Sequence, residues 1–485
     1  MLEITPNITD NQTIPFYQQL YQYIRDEIHS GRFSPGTRMP SVRDCAKNLH
    51  LSRNTIESAY QQLLAEGYLV SRPRQGLFVS MLDQEFVSMP VKNSSGSCST
   101  SPIRSSAPIS GEPSSEMIHY DFRNGDVDFN HFPLEIWRRL SNQSLAEESS
   151  ELFHYGDFQG DWELRQEIAK YLHQSRGVNC SPEQIVLGAG IQYLLGILCL
   201  LVGPEFRDIA VEDPGYLGAK TIFRNHGCDL HPVSLQEDGL DLEQLSASAA
   251  RLVYITPSHQ FPCGMVLPIV KRLKLLQWAQ ANNGFIIEDD YDGEFRYYQK
   301  PIPSLQGLDR SDRVIYLGTF SKSLLPSIRM GYMILPHQLL EPFCTRFAGY
   351  EQSVSRLHQR TLQLFMQKGY WARHIRKMRV IYQKKQSALV NAIREYLDER
   401  VQLVGSEAGL HILLQVRNGM SEAKLIAKAA NQQVRVYPTS HLWLRDSPEA
   451  TASGPISATI LLGYGGMSET QIREGILRLA KAWFE

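Results

Sequence analysis

Cysteine clusters, long apolar stretches and an excess of charge of one sign are all missing from this chain of 485 residues. The seven cysteines are scattered, odd in number and never spaced as Cys-x-x-Cys. This spacing argues against a zinc site or a disulfide framework and for a reducing compartment. The longest apolar run, Tyr193–Val202, is too short to cross a bilayer. Residues 1–10 lack the basic and apolar parts of a secretion signal, so we expect a cytoplasmic protein without a membrane segment.

What is present is an ordinary soluble composition, with 42% apolar and 21% charged residues. The net charge of −2 gives the whole chain no bias towards nucleic acid, so any such bias must be local. The length predicts two or more domains. Composition and patterning divide the chain into a small domain at 13–80, a linker at 81–118 and a large domain at 119–485.

The sequence of the small domain, 13–80, predicts three short helices followed by a β-hairpin. An apolar i, i+4 stripe marks the first helix, and Ser41 with Asp44 suits the capped start of the second. The third helix follows, with apolar residues on its inner face and Gly67 at its end. Two short apolar runs around a basic tip then predict the hairpin. This order of elements is that of a winged helix-turn-helix.

The charge of the small domain is also distinctive. Residues 31–80 hold seven Lys and Arg against three Asp and Glu, a local excess of +4 that suits DNA binding. An interaction domain of three helices would show the same apolar stripes but would not need arginines at these positions. The third helix begins with polar residues of the kind that contact bases and phosphates in the major groove. The candidate DNA-binding residues are Ser41, Arg43, Ser52, Arg53, Asn54, Thr55, Arg72 and Arg74.

The predicted linker, 81–118, is rich in serine and proline. Eleven serines and four prolines fall within residues 88–115, with almost no apolar periodicity. Such a segment cannot offset the entropy of ordering, so we expect a flexible tether. It is long enough for the small domain to lie over a partner subunit.

In the large domain, strand-like and helical segments alternate, which predicts an α/β fold with a mostly parallel sheet and helices on both faces. Its ligand site should lie at the carboxyl ends of the strands. The predicted strands are 184–187, 209–211, 252–255, 285–287, 314–317 and 332–335, and the clearest helices are 191–202 and 269–282.

The strand at 314–317 is followed by residues that indicate a specific chemistry. These residues are Thr319, Ser321, Lys322 and Arg329. A lysine can form a Schiff base with an aldehyde, while hydroxyls and a guanidinium can hold phosphate oxygens. The combination suits pyridoxal phosphate (PLP). A surface lysine at a strand corner is the plainer interpretation of the Ser-Lys pair taken alone.

Other strand ends carry residues that suit the same cofactor. Gly190 opens a helix whose N–H groups suit a phosphate. Tyr216 could stack on a flat ring, and Asp289 could pair with a pyridine nitrogen. His259 lies in a loop fixed by Pro and Gly, 256–264. Each feature is unremarkable alone, but their occurrence together in one domain is specific.

The small domain resembles the GntR family of bacterial regulators, and the large domain resembles the fold type I, aspartate-aminotransferase-like PLP enzymes. Together with the long tether they resemble the MocR subfamily of PLP-dependent transcription regulators. The segments 256–262, 287–292 and 318–326 closely match its GABA-responsive member. The resemblance implies that Lys322 carries the Schiff base, Asp289 pairs with the ring nitrogen, Tyr291 and His259 lie near the ring hydroxyl, and Tyr216 stacks on the ring. It also implies that Thr319, Ser321, Arg329 and the Gly190 turn hold the phosphate.

The resemblance further implies a head-to-tail homodimer that binds operator DNA and responds to a small molecule. Regulators of this type that sense amino acids grip the ligand carboxylate with arginine. We place that position at Gly466, and a second such position at Gly218, so neither arginine is present. Arg123 is a candidate replacement. The effector is then PLP itself, an amine or amino acid held differently, or a larger peptide-like ligand. Two alternatives stay open: an active aminotransferase, and a regulator of vitamin B6 synthesis that senses PLP alone.

Overall fold

The computed structural model describes residues 15–49, 51–72, 75–80, 118–147, 152–297, 302–444 and 458–485. Apart from residue 118, the predicted linker lies outside these ranges, as does Arg74 of the predicted DNA-binding set. Within them, no helix has both the length and the apolar content needed to cross a bilayer.

The small domain is a winged helix-turn-helix, as the sequence predicts. Ser41 accepts a hydrogen bond from the Asp44 N–H at 3.1 Å. Ser52 accepts one from the Thr55 N–H, also at 3.1 Å. These two caps fix the starts of the second and third helices because they satisfy N–H groups that the helix leaves unpaired. The elements are α1 Phe16–His29, α2 Val42–Leu49, α3 Arg53–Ala65, and the antiparallel strands β1 Leu69–Arg72 and β2 Gly76–Val79.

The large domain alternates strands and helices. Its strands are β3 Tyr120–Asp121, β4 Ile185–Gly188, β5 Asp208–Asp213, β6 Asp229–Gln236, β7 Gly239–Leu240, β8 Leu252–Ile255, β9 Phe285–Asp290, β10 Val314–Thr319, β11 Gly331–Ile334, β12 Val401–Val404, β13 His411–Val416, β14 Val434–Arg435, β15 Tyr437–Pro438 and β16 Thr459–Gly463. Its helices are α4 Leu134–Glu147, α5 Trp162–Arg176, α6 Ile191–Val202, α7 Leu217–Asn225, α8 Leu242–Ala247, α9 Ile269–Ala281, α10 His337–Phe347, α11 Arg356–Gln367, α12 Tyr370–Tyr396, α13 Glu422–Asn431 and α14 Glu469–Phe484.

Eight of these strands form the central sheet, in the order β4-β11-β10-β9-β8-β5-β6-β7. The strands from β10 to β6 run parallel, whereas β11 and β7 are antiparallel to their neighbours. Ile209 and Val211 of β5 pack in one core with residues of α6 and α7, while Ala210 between them packs with α9. Both faces are therefore covered, which explains why these strands are almost continuously apolar.

A second, antiparallel sheet has the order β12-β13-β16-β15. Alternate residues of β16 point to opposite sides. Ile460 and Leu462 pack with residues of α12 and α14. Leu461, between them, packs on the other side with Phe261 and the aromatic residues at the carboxyl ends of the central sheet. This sheet therefore forms one side of the region in which the ligand site is expected.

The small domain packs against α9 of the large domain. Ile269, at the start of α9, is only 1% exposed and belongs to the core of the winged helix. Its N–H donates a hydrogen bond to the carbonyl oxygen of Glu66 at 2.6 Å, directly after α3. The end of the third helix is thus attached to the start of a helix in the large domain.

Candidate functional site

A cavity of about 380 Å³ lies where the carboxyl ends of the parallel strands meet. Gly190 and His259 border it through direct contacts with Arg329 and Tyr291, respectively. The structure therefore brings all nine predicted cofactor-binding residues together. The other seven line the cavity: Tyr216, Asp289, Tyr291, Thr319, Ser321, Lys322 and Arg329.

Lys322 follows the end of β10, and its amine faces the turn at Gly125. A Cβ on Gly125 would lie 2.9 Å from Lys322 Nζ, and the φ of 100° at this residue also favours glycine. Burial holds the pKa of Lys322 below its ordinary value, against the attraction of the carboxylates of Asp292, Asp126 and Asp289. A lowered pKa raises the fraction of neutral, nucleophilic amine.

Asp289, near the end of β9, is 4% exposed. Its Oδ2 accepts a short hydrogen bond from the hydroxyl of Tyr254, whereas its Oδ1 is buried and has no partner among the described residues. Burial raises the pKa of Asp289 to about 7, although the Tyr254 hydrogen bond and the Lys322 charge favour the carboxylate. A buried oxygen without a partner is costly and suits a ligand that donates a hydrogen bond to it.

The opposite end of the cavity suits an anion. Gly190 precedes α6 with φ of 92°, a conformation that glycine adopts freely. A Cβ there would lie 2.8 Å from Arg329 Nη2, so the guanidinium and the N-terminus of α6 lie side by side. Thr319 and Ser321 also line the cavity, and Thr319 pairs with Gly331, which lies beside Gly190. Helix N–H groups, an arginine and two hydroxyls are the groups that proteins use for phosphate.

Tyr291 and His259 form a hydrogen-bonded pair at the side of the cavity. His259 Nδ1 lies 2.9 Å from Asp292 Oδ2 and 3.0 Å from the Tyr291 hydroxyl. His259 Nε2 is buried and has no partner within the described parts of the chain. The resemblance placed this side chain near the ring hydroxyl, and in the structure His259 reaches the cavity through its contact with Tyr291.

The end of β9 is held by an ion pair beneath the cavity. Arg176 binds both carboxylate oxygens of Asp290, at 2.6 and 3.0 Å, and also donates to the hydroxyl of Ser258 at 2.8 Å. This arrangement joins the residue next to Asp289 to the loop that contains His259. A bidentate pair of this kind fixes geometry as well as charge.

These features fit PLP: an amine for the aldehyde, an unpaired acceptor for the ring nitrogen and an anion site at a helix N-terminus. When bound, PLP supplies an aldehyde for amines and a ring that withdraws electrons. Lys322, Asp289 and the Gly190–Arg329 end would hold it.

Two family models match the chain: "Bacterial regulatory proteins, gntR family" over residues 16–79 and "Aminotransferase class I and II" over residues 120–453. The uncharacterised HTH-type transcriptional regulator YdeL of Bacillus subtilis is 44% identical, covering 99% of this chain and 100% of that protein. The probable rhizopine catabolism regulatory protein MocR of Rhizobium meliloti is 34% identical, over 97% of this chain and 94% of its own. This chain belongs to the MocR subfamily of GntR-type regulators.

Solved structures show the same aminotransferase fold for the large domain. The multiple substrate aminotransferase of Thermococcus profundus has a TM-score of 0.67 and 25% identity, covering 76% of this chain and 91% of its own. The MocR-type regulator described here thus joins a DNA-binding domain to an aminotransferase fold, as the sequence predicted.

Gly466, predicted to stand at the position of a carboxylate-binding arginine, follows the end of β16 and is not among the described residues that line the cofactor cavity. A Cβ on Gly466 would lie 3.0 Å from the Cβ of Asp126, and Gly466 lines a separate cavity with Lys385 and Glu469. The β16 residue that packs with Phe261, which lines the cofactor cavity, is Leu461. Leu461, like Gly466, offers no charge to a ligand carboxylate, and the absence of a carboxylate-binding arginine stays a prediction. At the second position, a Cβ on Gly218 would lie 2.4 Å from the ring of Tyr216, so Gly218 is needed to seat that ring.

The predicted DNA-binding residues lie on the winged helix, away from the cavity. Arg43, Arg53 and Asn54 are exposed at the starts of α2 and α3, and Ser41 and Ser52 cap those helices. Thr55 is half-buried, and the guanidinium of Arg72 lies 4.5 Å above the ring of Phe78 at the hairpin. Their roles in DNA binding stay predictions.

Sequence reasoning did not assign a role to several other residues that line the cavity. Tyr254 could have been noticed as a phenol in an otherwise aliphatic strand next to β9, and Thr256 and Phe261 belong to the loop already singled out. The turn at Asn124 and Gly125 gave no local signal, because only tertiary packing against β16 brings it to Lys322.

Proposed function

We propose that this MocR-type regulator binds PLP through Lys322 and that ligand binding in the same cavity changes how its winged helix binds operator DNA. The observation that carries the proposal is the placement of a desolvated amine, Lys322, and an unpaired buried carboxylate oxygen, Asp289 Oδ1, in one cavity. An amine and a carboxylate so placed suit an aldehyde and a ring nitrogen on one small molecule.

The remaining predicted residues have roles that follow from their positions. Thr319, Ser321, Arg329 and the Gly190 turn would hold the phosphate, and Tyr216, which lines the cavity, would stack on the ring. Tyr291 and His259, which is hydrogen-bonded to Asp292, would contact the ring hydroxyl. Arg123 lies on the surface beside the cavity, hydrogen-bonded to Tyr437, and is retained as a candidate contact for a ligand carboxylate.

A short path connects the cavity with the winged helix. Thr256 lines the cavity at the start of a loop that ends at Ile269. Arg272, buried in α9, closes this loop by donating to the carbonyl oxygens of Pro257 at 3.1 Å and Leu267 at 2.8 Å. Ile269 in turn donates to Glu66 of the small domain. A ligand that changes the loop would therefore bias the position of the winged helix, to the extent of its differential affinity for the two positions.

Operator binding is expected to involve two copies of the chain. In a head-to-tail homodimer, two tethered winged helices would occupy adjacent half-sites, and the tether would raise the effective concentration of the second head.

The test uses the full chain purified with PLP. The wild type should show the visible absorbance of a lysine-bound cofactor, and Lys322→Ala should lose it. Lys368→Ala, a substitution on an exposed lysine, should keep the band. An unchanged spectrum in the Lys322 variant would show that the lysine assignment is wrong.

DNA binding is tested with a duplex selected by the wild-type protein from a random pool. Fluorescence anisotropy with and without PLP should give different affinities for the wild type and equal affinities for Lys322→Ala. Sustained turnover of an amine with a keto acid would favour an aminotransferase. A DNA affinity that responds to PLP and to no second ligand would favour a sensor of PLP alone.

A further inference from the structure

Part of the cavity is not used by the cofactor-binding residues, and its chemistry limits what a second ligand can be. Besides the proposed cofactor residues, the described lining consists of Asn124, Gly125, Ile191, Gln192, Tyr254, Thr256, Phe261 and Pro326. None of these side chains is charged. Among the lining residues that the structure describes, the cations are Lys322 and Arg329, and both are assigned to the cofactor.

Two of the four polar side chains in this free part, Thr256 and Tyr254, already have protein partners, and the other two, Asn124 and Gln192, are uncharged amides. The hydroxyl of Thr256 donates to Glu212 at 2.7 Å and accepts from the Phe261 N–H at 3.0 Å. The hydroxyl of Tyr254 donates to Asp289. A carboxylate that entered here would lose its hydration without gaining the charged, bidentate partner that usually offsets this loss.

The side of the cavity formed by Phe261 is apolar to considerable depth. The ring of Phe261 stands nearly perpendicular to those of Tyr216 and Tyr291, with both ring centroids 6.2 Å away. Behind it lie three buried leucines, Leu413, Leu442 and Leu461. The side of Phe261 that faces β16 is therefore covered by apolar side chains and not by a cation.

The charges nearest to Lys322 also disfavour an anion. Three carboxylates, those of Asp126, Asp289 and Asp292, lie close enough to stabilise the charged form of the Lys322 amine. Asp292 also contacts His259, and Asp289 accepts a hydrogen bond from Tyr254. A cationic amine is attracted by this arrangement, whereas a second negative group is repelled.

We propose that the ligand recognised in this cavity is a primary amine that carries no carboxylate and has an apolar tail, aliphatic or aromatic, lying against Phe261. This inference rests on the proposed cofactor role of Lys322. The ligand nitrogen takes the place of Lys322 Nζ, and the tail contacts Phe261. The exchange balances, because one C=N bond replaces another and the ligand ammonium passes two of its three protons to the released lysine.

The test is a set of spectroscopic titrations of the PLP-loaded full chain. Matched probes differ only in the carboxylate or in a second ammonium: butylamine, 4-aminobutanoate and 1,4-diaminobutane, and then 2-phenylethylamine and phenylalanine. The monoamines should shift the cofactor band at concentrations at least about tenfold lower than the carboxylate-bearing probes. Equal or tighter binding of 4-aminobutanoate or phenylalanine would overturn the proposal. A preference for the diamine over butylamine would overturn the proposal that the ligand has an apolar tail.

Two variants test the position of the missing cation. Leu461→Arg places a guanidinium behind Phe261 and should shift preference towards the carboxylate-bearing probes. Gly466→Arg, which lies beside Asp126 in a separate cavity, should leave the preference unchanged. The reverse result would show that Gly466 faces the ligand. If Leu461→Arg does not fold, the wild-type titrations still decide the question.

A third variant addresses the remaining candidate cation. If the wild type prefers the carboxylate-bearing probes and Arg123→Ala loses that preference, the ligand proposal is overturned and Arg123 is assigned to the ligand carboxylate. Failure of the proposed function has a different signature, because the wild type would then show no cofactor band at all. A cofactor band that no amine shifts would overturn only the ligand proposal.

Discussion

Lys322 and Asp289 occupy positions that would be unfavourable without a ligand. Burial raises the pKa of Asp289 and lowers the pKa of Lys322, so it favours the neutral form of each group. Asp289 keeps one oxygen without a partner in the described structure. An acid and a base with shifted pKa values in one cavity are characteristic of functional sites. Such groups destabilise the ligand-free protein, and a bound ligand supplies the contacts that they lack.

The raised pKa of Asp289 predicts a pH dependence of stability in the cofactor-free protein. Its carboxyl titrates near 3.8 when unfolded and at about 7 when folded, so the folded state binds the extra proton between these values. Stability from this group is therefore present below pH about 4 and is lost as the pH rises to about 7. The unfolding temperature of the wild type should fall between pH 4 and 7, and that of Asp289→Asn should fall less over the same range.

The measurement is differential scanning fluorimetry of cofactor-free protein across that range. Part of the slope should remain, because burial also raises the pKa of Glu212, Glu288 and Glu294 to about 7. Asp229→Asn, at an exposed position, serves as the matched control and should reproduce the wild-type slope. An unchanged slope in Asp289→Asn would mean that Asp289 is already ionised in the cofactor-free protein.

Tyr254 is predicted to support the cofactor site through Asp289. Tyr254→Phe removes the hydrogen bond to Oδ2 and leaves a buried carboxylate with two unpaired oxygens. Such a loss typically costs about 1–3 kcal/mol, so the affinity for PLP should fall about fivefold to 150-fold. The measurement is the dissociation constant of PLP from the absorbance band, with the exposed Tyr350→Phe as control. Equal affinity in both variants would contradict this role.

The residues of the site could largely be predicted from the sequence. The side chain of β16 that faces the region of the cavity could not. Lys322, Asp289 and Arg329 follow strands whose ends are visible in the sequence, and parallel strands bring such ends together. Around β16 the run of leucines and glycines gives no marker of which side chain faces the cavity. Only the pairing of β16 with β13 and β15 fixes Leu461 on that side and moves Gly466 away from it.

Among the elements, α3 is the one on which DNA recognition depends. Its first residue, Arg53, is exposed directly after the Ser52 cap, at the end of the helix that would enter the major groove. Arg53→Ala should weaken binding to the selected duplex by roughly 1–3 kcal/mol, or about fivefold to 150-fold. Anisotropy titrations at several salt concentrations measure this loss and the phosphate contribution together.

Arg376→Ala is the matched control, since it removes an exposed arginine from α12 of the large domain. It should leave DNA affinity near the wild-type value. Normal affinity in Arg53→Ala would show that α3 is not the recognition helix.

The elements themselves were predicted well where the pattern is local. The strand at Leu252–Ile255 and the helix at Ile191–Val202 have the predicted bounds, because a continuous apolar run bounded by polar or glycine residues defines each. The strands β9 and β10 extend further than predicted, to Asp290 and Thr319. Their last residues are polar, and parallel pairing between the two strands, not hydrophobicity, holds them extended.

At the scale of the whole molecule, the feature that the sequence did not reveal is the contact between the two domains. Ile269 has the pattern of an ordinary helix start in the large domain, yet its side chain completes the core of the small domain. Glu66, 5% exposed, is bonded by Tyr21 at 2.6 Å and Gln62 at 3.1 Å, and this network fixes the segment that accepts from the Ile269 N–H. A contact between residues about 200 positions apart leaves no periodic signal.

This contact predicts that Ile269→Ala will loosen the winged helix without disturbing the cofactor site. Truncating a fully buried isoleucine typically costs about 2 kcal/mol or more, and here the loss falls on the boundary between the domains. Hydrogen exchange should become faster at the first turn of α9 and at the end of α3, while the absorbance of bound PLP stays unchanged. Val380→Ala, at a side chain 53% exposed on α12, should alter neither. If the exchange at α9 is unaffected by Ile269→Ala, the small domain does not depend on this contact, and the path from the cavity to the DNA-binding helix must run elsewhere.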